Sequence, residues 1–262
     1  MALRYFQVDA FTNQVFGGNP AAVVPLEDWQ PGKLLQNIAA ENNLSETAFI
    51  RPSRSKDADY DLRWFTPNLE MDLCGHATLA AAHVLWQHLN DTGKRLRFST
   101  RSGVLAVDRQ GDYLILDFPA RPAARSKISD AIVDALGMRP VEVWDARDLM
   151  AVFDSEDNVR SLRPDMAKVA MLDAFAVITT APGMNCDFVS RFFAPKAAVP
   201  EDPVTGSAHC TLIPYWSRRL GKRELLARQV SARGGELHCR DGGDRVNIGG
   251  QCVTYLEGVI HI

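Results

Sequence analysis

The chain has 262 residues, 46% of them hydrophobic and 23% charged, and 29 Lys+Arg against 32 Asp+Glu leave a formal net charge of −3. Enough aromatic and aliphatic side chains are present to fill the core of one large or two small domains, which excludes a collagen-like or predominantly disordered chain. A pI near 6.1 and the absence of any Lys/Arg-rich run argue against nucleic acid or anionic membrane as the main partner, while leaving room for a small anion bound locally.

Taken in chain order, β-branched and aromatic clusters predict strands at Tyr5–Val8, Ala21–Val24, Glu46–Ile50 and Tyr60–Phe65. Leu34, Leu35, Ile38 and Leu44 mark an amphipathic stretch before the third strand. Ala77 through Trp86 is apolar on nearly every face apart from Thr78 and His83, which predicts a helix buried inside its half. Val104–Val107 and Tyr113–Leu116 flank a Gly111-Asp112 turn, and Phe118–Ala124, with Pro119 and Pro122, reads as a linker.

Beyond the linker the pattern starts again. Arg63-Trp64-Phe65-Thr66-Pro67 returns as Arg191-Phe192-Phe193-Ala194-Pro195, Gly75-His76-Ala77 as Gly206-Ser207-Ala208, and Ser102-Gly103-Val104-Leu105 as Gly234-Gly235-Glu236-Leu237, at offsets of 128 to 132 residues. The second central helix is expected from Ala208 to Trp216, with Pro203 and Pro214 leaving it a short uninterrupted span. The predicted fold class is α+β: two pseudo-symmetric halves, each a mostly antiparallel sheet wrapped around a central helix. Residues 1–118 form the first half, joined by a returning C-terminal strand within 251–262. Residues 119–250 form the second, and the active-site cleft is expected between them.

Both halves place a short polar word before their buried helix, Asp72-Leu73-Cys74-Gly75-His76-Ala77-Thr78 and Glu201-Asp202-Pro203-Val204-Thr205-Gly206-Ser207-Ala208. A helix N-terminus carries unpaired N–H groups and partial positive charge, so two such words suit the binding of a carboxylate. Read without that function, Gly75 and Gly206 are turn residues, and Asp202 or Thr205 merely caps a helix. Glu46 stands in a mostly uncharged run, Leu44 to Ile50. A carboxyl there can take a proton from one carbon and return it to another, or can face solvent on an alternating strand.

The words Phe16-Gly17-Gly18-Asn19-Pro20-Ala21-Ala22-Val23, Leu44-Ser45-Glu46-Thr47-Ala48-Phe49, Cys74-Gly75-His76-Ala77-Thr78 and Glu201-Asp202-Pro203-Val204-Thr205-Gly206-Ser207-Ala208 resemble the hallmarks of the phenazine-biosynthesis isomerase (PhzF-like) family. The resemblance runs from Tyr5 to the C-terminal strand. It implies a diaminopimelate-epimerase-like fold, no metal, no organic cofactor and a homodimer. It also implies an activity like the isomerisation of trans-2,3-dihydro-3-hydroxyanthranilate. Glu46 then corresponds to the catalytic acid/base, with His76, Asp202 and Ser207 at other active-site positions; by the helix-terminus argument above, backbone N–H groups near Gly75 and Gly206 are expected to bind the substrate carboxylate.

Cys74 leaves a second reading open, because epimerases of this fold use one cysteine from each half as an acid/base pair. The second half has no equivalent thiol at that point: Cys210 lies about a turn beyond Gly206. A buried inert thiol is the simpler reading, and a mixed Cys74/Asp202 pair the minority one. A binding or adaptor protein without turnover is the alternative of a different class. Five cysteines with no C-x-x-C suit a reducing compartment. The start of the chain lacks a signal-peptide apolar core and no apolar run reaches membrane-span length, so the expected location is cytoplasmic. His83 and His88, five apart, match no helical metal pair, and no Walker, dinucleotide or zinc-protease motif is present.

Overall fold

A computed structural model describes residues 1–262, and the chain divides into two compact units, Met1–Asp117 with Gly249–Ile262 and Phe118–Ile248. In the first unit the elements run β1 (Ala2–Ala10), β2 (Asn19–Pro25), α1 (Gly32–Asn42), β3 (Glu46–Pro52), β4 (Tyr60–Phe65), β5 (Glu70–Met71), α2 (Gly75–His88), β6 (Arg95–Thr100), β7 (Gly103–Gln110) and β8 (Tyr113–Pro119). The second runs β9 (Ala124–Ser126), α3 (Asp130–Leu136), β10 (Glu142–Asp145), β11 (Leu149–Val152), α4 (Glu156–Ser161), α5 (Met166–Met171), β12 (Val177–Pro182), β13 (Phe188–Ala194), β14 (Val199–Asp202), α6 (Gly206–Leu220), β15 (Glu224–Gln229), β16 (Gly235–Asp241) and β17 (Arg245–Gly250). The chain then ends in β18 (Cys252–His261), which pairs antiparallel with β1 from Ala2↔His261 to Ala10↔Cys252 and so belongs to the first unit.

The two units share one pairing logic. In the first, β1 is antiparallel to β2, β2 parallel to β3, β3 antiparallel to β4, β4 antiparallel to β5 and parallel to β6, and β6 antiparallel to β7. In the second, β10, β11, β12, β13, β14, β15 and β16 follow the same order of antiparallel and parallel contacts. The fold is α+β in two pseudo-symmetric halves. Parallel neighbours need crossovers, which α2 supplies between β4 and β6 and α6 between β13 and β15.

α2 is apolar nearly all round, and Ala77, Leu79, Ala80, Ala81, Ala82 and Val84 have no exposed surface, the state expected of a helix enclosed by its sheet. Further core gathers Leu35, Ile38, Phe49 and Phe65 against α1 in the first unit, and Val159, Val177, Val189 and Phe193 in the second.

One sequence expectation is corrected. α6 continues through Pro214 for 15 residues. Proline removes the N–H that would bond the carbonyl four residues earlier. Here that carbonyl, on Cys210, accepts the backbone N–H of Arg121 at 2.8 Å, so the linker segment replaces the lost bond and the helix need not break. No helix is long and apolar enough to cross a membrane.

Candidate active site

Three segments of the first unit converge on a buried polar cluster. The β1–β2 connection is held by the Asp9 carboxylate, which accepts the Phe16 N–H at 2.9 Å, and Phe16 and Gly18 adopt φ of 73° and 62°. A Cβ on Gly18 would stand 2.1 Å from the Ala10 carbonyl oxygen, so glycine is required by space as well as by φ. The turn delivers Asn19, fully buried, at the start of β2. β3 opens with Glu46, in register with Ala21 of β2. α2 opens with Gly75 and His76 behind Cys74, its N-cap, whose side chain makes no capping bond.

His76 is the centre of the cluster. Its Nε2 lies 3.1 Å from Glu46 Oε2, and its Nδ1 lies 3.2 Å from Asn19 Nδ2 and 3.5 Å from Cys74 Sγ. The His76 side chain is 6% exposed and that of Glu46 14%, so the carboxyl keeps a small opening to solvent. Although buried, Glu46 Oε2 and His76 Nε2 complete no well-directed hydrogen bond. Such unused bonding capacity in a buried position is expensive in a merely structural contact.

Burial opposes charge on His76, but Cys74 and the Glu46 carboxylate beside it raise its proton affinity well above that of a free imidazole and outweigh that effect. Burial, reinforced by the Glu46 charge, pushes the Cys74 thiol up to about 11, so it stays a neutral S–H near neutral pH.

In the second unit Asp202 ends β14 and Thr205 caps α6, with Gly206 and half-buried Ser207 as the first two helical residues. The Thr205 hydroxyl donates to Asp202 Oδ2. Gln229, almost fully buried at the end of β15, locks this turn. Its Oε1 accepts the Thr205 N–H at 2.9 Å and its Nε2 donates to the Asp202 carbonyl at 2.7 Å. With the Thr205 hydroxyl turned to Asp202, α6 too starts without a side-chain cap.

The ladders identify positional counterparts. Thr47 pairs with Phe65 as Val177 pairs with Phe193, so Glu46 corresponds to Ala176, a buried methyl. Cys74 and Thr205 are both N-caps, so the counterpart of the thiol is a hydroxyl already engaged with Asp202. Arg63 forks onto Glu70 at 2.6 and 2.8 Å while covering Phe65, and Arg191 forks onto Glu201 at 2.7 and 2.9 Å while covering Phe193. Each clamp ties the short strand leading into a helix N-terminus back to the sheet.

The structure thus gathers Glu46, Gly75 and His76 in the first unit, with Cys74 among them, and sets Asp202, Gly206 and Ser207 around the start of α6 in the second. Asn19 and Gln229 received no role from sequence. Asn19 lies inside the recognised Gly-Gly-Asn-Pro word, whereas Gln229 carries no local signal. His83 and His88 do meet, but through the Thr254 hydroxyl, at 2.9 and 2.8 Å. His209 donates from Nδ1 to the Thr205 carbonyl at 2.8 Å, and burial lowers it to about 4, so it is a neutral core imidazole.

Two pseudo-symmetric α+β halves are the fold shared by PhzF proteins and epimerases. A hydroxyproline epimerase of Agrobacterium vitis shares the fold at a TM-score of 0.64 and 11% identity, over 99% of this chain and 92% of its own. The chain belongs to the PhzC-PhzF family, phenazine biosynthesis-like proteins, whose model matches residues 8–258. It is 51% identical to an uncharacterized isomerase of Pseudomonas aeruginosa over the full length of both chains. A PhzF family phenazine biosynthesis protein of Enterococcus faecalis has a TM-score of 0.97 and 47% identity, with both chains fully covered.

Proposed function

We propose that this protein is an isomerase that relocates a proton on a small carboxylate-bearing substrate, using its own side chains without a metal or organic cofactor. The observation that carries this reading is the Glu46–His76 contact. A buried carboxyl and imidazole stand 3.1 Å apart beside a helix N-terminus without a side-chain cap, and their facing atoms complete no directed hydrogen bond. Glu46 takes a proton from an acidified carbon, the electron pair enters the conjugated system of the substrate, and the same carboxyl returns the proton to another carbon. No oxidant or reductant is needed. His76 and Asp202 orient or polarise the substrate. The N–H groups at Gly75, Gly206 and Ser207 hold the negative charge that grows in the transition state. By family resemblance, trans-2,3-dihydro-3-hydroxyanthranilate is the first substrate to screen.

The absence of a second carboxyl or thiol at the counterpart positions favours one shuttling group over the two-base epimerase reading. Ala176 stands opposite Glu46 in the pairing scheme, and the Thr205 hydroxyl opposite Cys74. Deuterium incorporation from solvent into candidate acids separates either enzyme from a non-catalytic binder. Glu46→Gln is expected to lower turnover by about 10²–10⁴-fold while leaving binding of a substrate analogue nearly unchanged. Cys74→Ala is expected to be mild. Equal damage from both substitutions, with inversion at a stereocentre, would establish the epimerase instead, and wild-type rates in Glu46→Gln would remove the isomerase mechanism.

A further inference from the structure

The Glu46, Cys74 and His76 side chains each offer one ligand atom, and these atoms lie within 4.8 Å of one another. We infer that this cluster is an inhibitory site for a thiophilic divalent cation of the Zn²⁺ class. The inference concerns the pocket assigned above to proton transfer, but its test does not depend on turnover.

The donor set carries the choice of ion. A thiol, an imidazole and a carboxyl together suit Zn²⁺ or Co²⁺, whereas Mg²⁺ and Ca²⁺ require oxygen ligands. Tetrahedral Zn²⁺ with bonds of about 2.0–2.3 Å needs its ligand atoms about 3.3–3.7 Å apart. With Nε2 as the imidazole ligand, Glu46 Oε2 already stands 3.1 Å away, while Cys74 Sγ, 3.5 Å from Nδ1 in a cluster whose ligand atoms lie within 4.8 Å of one another, has to rotate toward Nε2 to complete three of the four positions. The buried Glu46 Oε2 and His76 Nε2, which complete no directed hydrogen bond, are the independent sign that the cluster has unused ligating capacity. Asn19, against the other ring nitrogen, is placed to orient the imidazole as outer-shell partners of metal-bound histidines do. Coordination replaces the thiol proton, and any proton on the ligating ring nitrogen, with the metal, and these protons pass to the buffer. The fourth position falls to water or to a substrate oxygen. With its carboxyl committed to the metal, Glu46 is no longer free to shuttle protons.

Co²⁺ titration of the full chain, freed of metal with a chelator and kept reduced, tests the site. The expected result is one Co²⁺ per chain with a thiolate-to-cobalt charge-transfer band in the near ultraviolet, displaced by Zn²⁺ and unaffected by excess Mg²⁺. Cys74→Ala should abolish the band and weaken Zn²⁺ binding by about 10–100-fold or more. Cys186 and Cys252 are the partly exposed thiols that offer a competing origin, so the double variant Cys186→Ala/Cys252→Ala must retain the band. A melting curve establishes that each variant is folded. If Cys74→Ala fails that check, His76→Asn decides by the same criterion. No one-to-one binding by wild type, a band that persists in folded Cys74→Ala, or one lost in the Cys186/Cys252 variant would overturn the assignment. Failure of the isomerase reading alone appears as unlabelled substrate with the cobalt spectrum intact.

Discussion

At the scale of single residues, the chemistry rests on how His76 is held. Asn19 is fully buried and its amide lies 3.2 Å from Nδ1, so it fixes which edge of the ring faces Glu46. Asn19→Ala is expected to lower kcat by roughly 10–100-fold with a smaller change in KM, since outer-shell partners set orientation more than affinity. The pH–rate profile should move with it, because a ring free to turn changes the Glu46 and Cys74 contacts that raise its proton affinity. An unchanged profile with a proportionate loss of folded protein would reduce Asn19 to a packing role. Glu46 and His76 were legible in sequence because both sit inside recognised words. Gln229 was not: it ends a strand 24 residues after Thr205, and only the return of β15 beside β13 brings its amide to that turn.

At the scale of elements, two devices seat the helix starts and keep α6 whole. The Arg63 fork holds the Glu70 carboxyl below the usual carboxylate range, against the opposing effect of burial. A carboxyl depressed on folding stabilises the fold above its unfolded value and loses that contribution as pH falls through its folded value. Glu70→Gln should therefore cost about 1–3 kcal/mol at pH 7 and progressively less below about pH 4. Urea melts at pH 7 and pH 3.5 check this, and a cost independent of pH would show that the clamp works through packing. The second device is the Arg121 N–H on the Cys210 carbonyl. Arg121→Pro should destabilise by about 1–3 kcal/mol beyond Arg121→Ala, because a buried carbonyl is left unpaired. In a Pro214→Ala background the extra cost should shrink, as the backbone N–H that alanine restores supplies the missing donor. A double-mutant cycle in denaturant measures that coupling directly. Pro214 read alone in sequence signals a helix end, because the donor that rescues the helix lies 89 residues earlier in the chain than the carbonyl it bonds.

At the scale of the whole molecule, the last strand closes the first unit. β18 pairs with β1 along its length, and Thr254 joins it to the central helix through His83 and His88. Burial lowers His83 to about 4, with His88 reinforcing the effect, so near neutral pH the bridge joins a neutral imidazole to the hydroxyl. Thr254→Val keeps the shape and removes the hydroxyl, and should cost about 1–3 kcal/mol. Hydrogen exchange should quicken at β1 amides bonded to β18 and leave α6 unchanged, whereas uniform acceleration would mean that the bridge holds more than this seam.

The sequence by itself determined the α+β class, the buried helix Ala77–Trp86, the returning terminal strand and the residues to test, because apolar periodicity and short motifs are local properties. Only the tertiary structure decided what those residues touch. The Glu46–His76 contact joins positions 30 apart, the Asn19 amide reaches across 57, and Arg121 restores a helix that proline alone would break. Such contacts form between segments distant in sequence, so no window of the chain contains both partners.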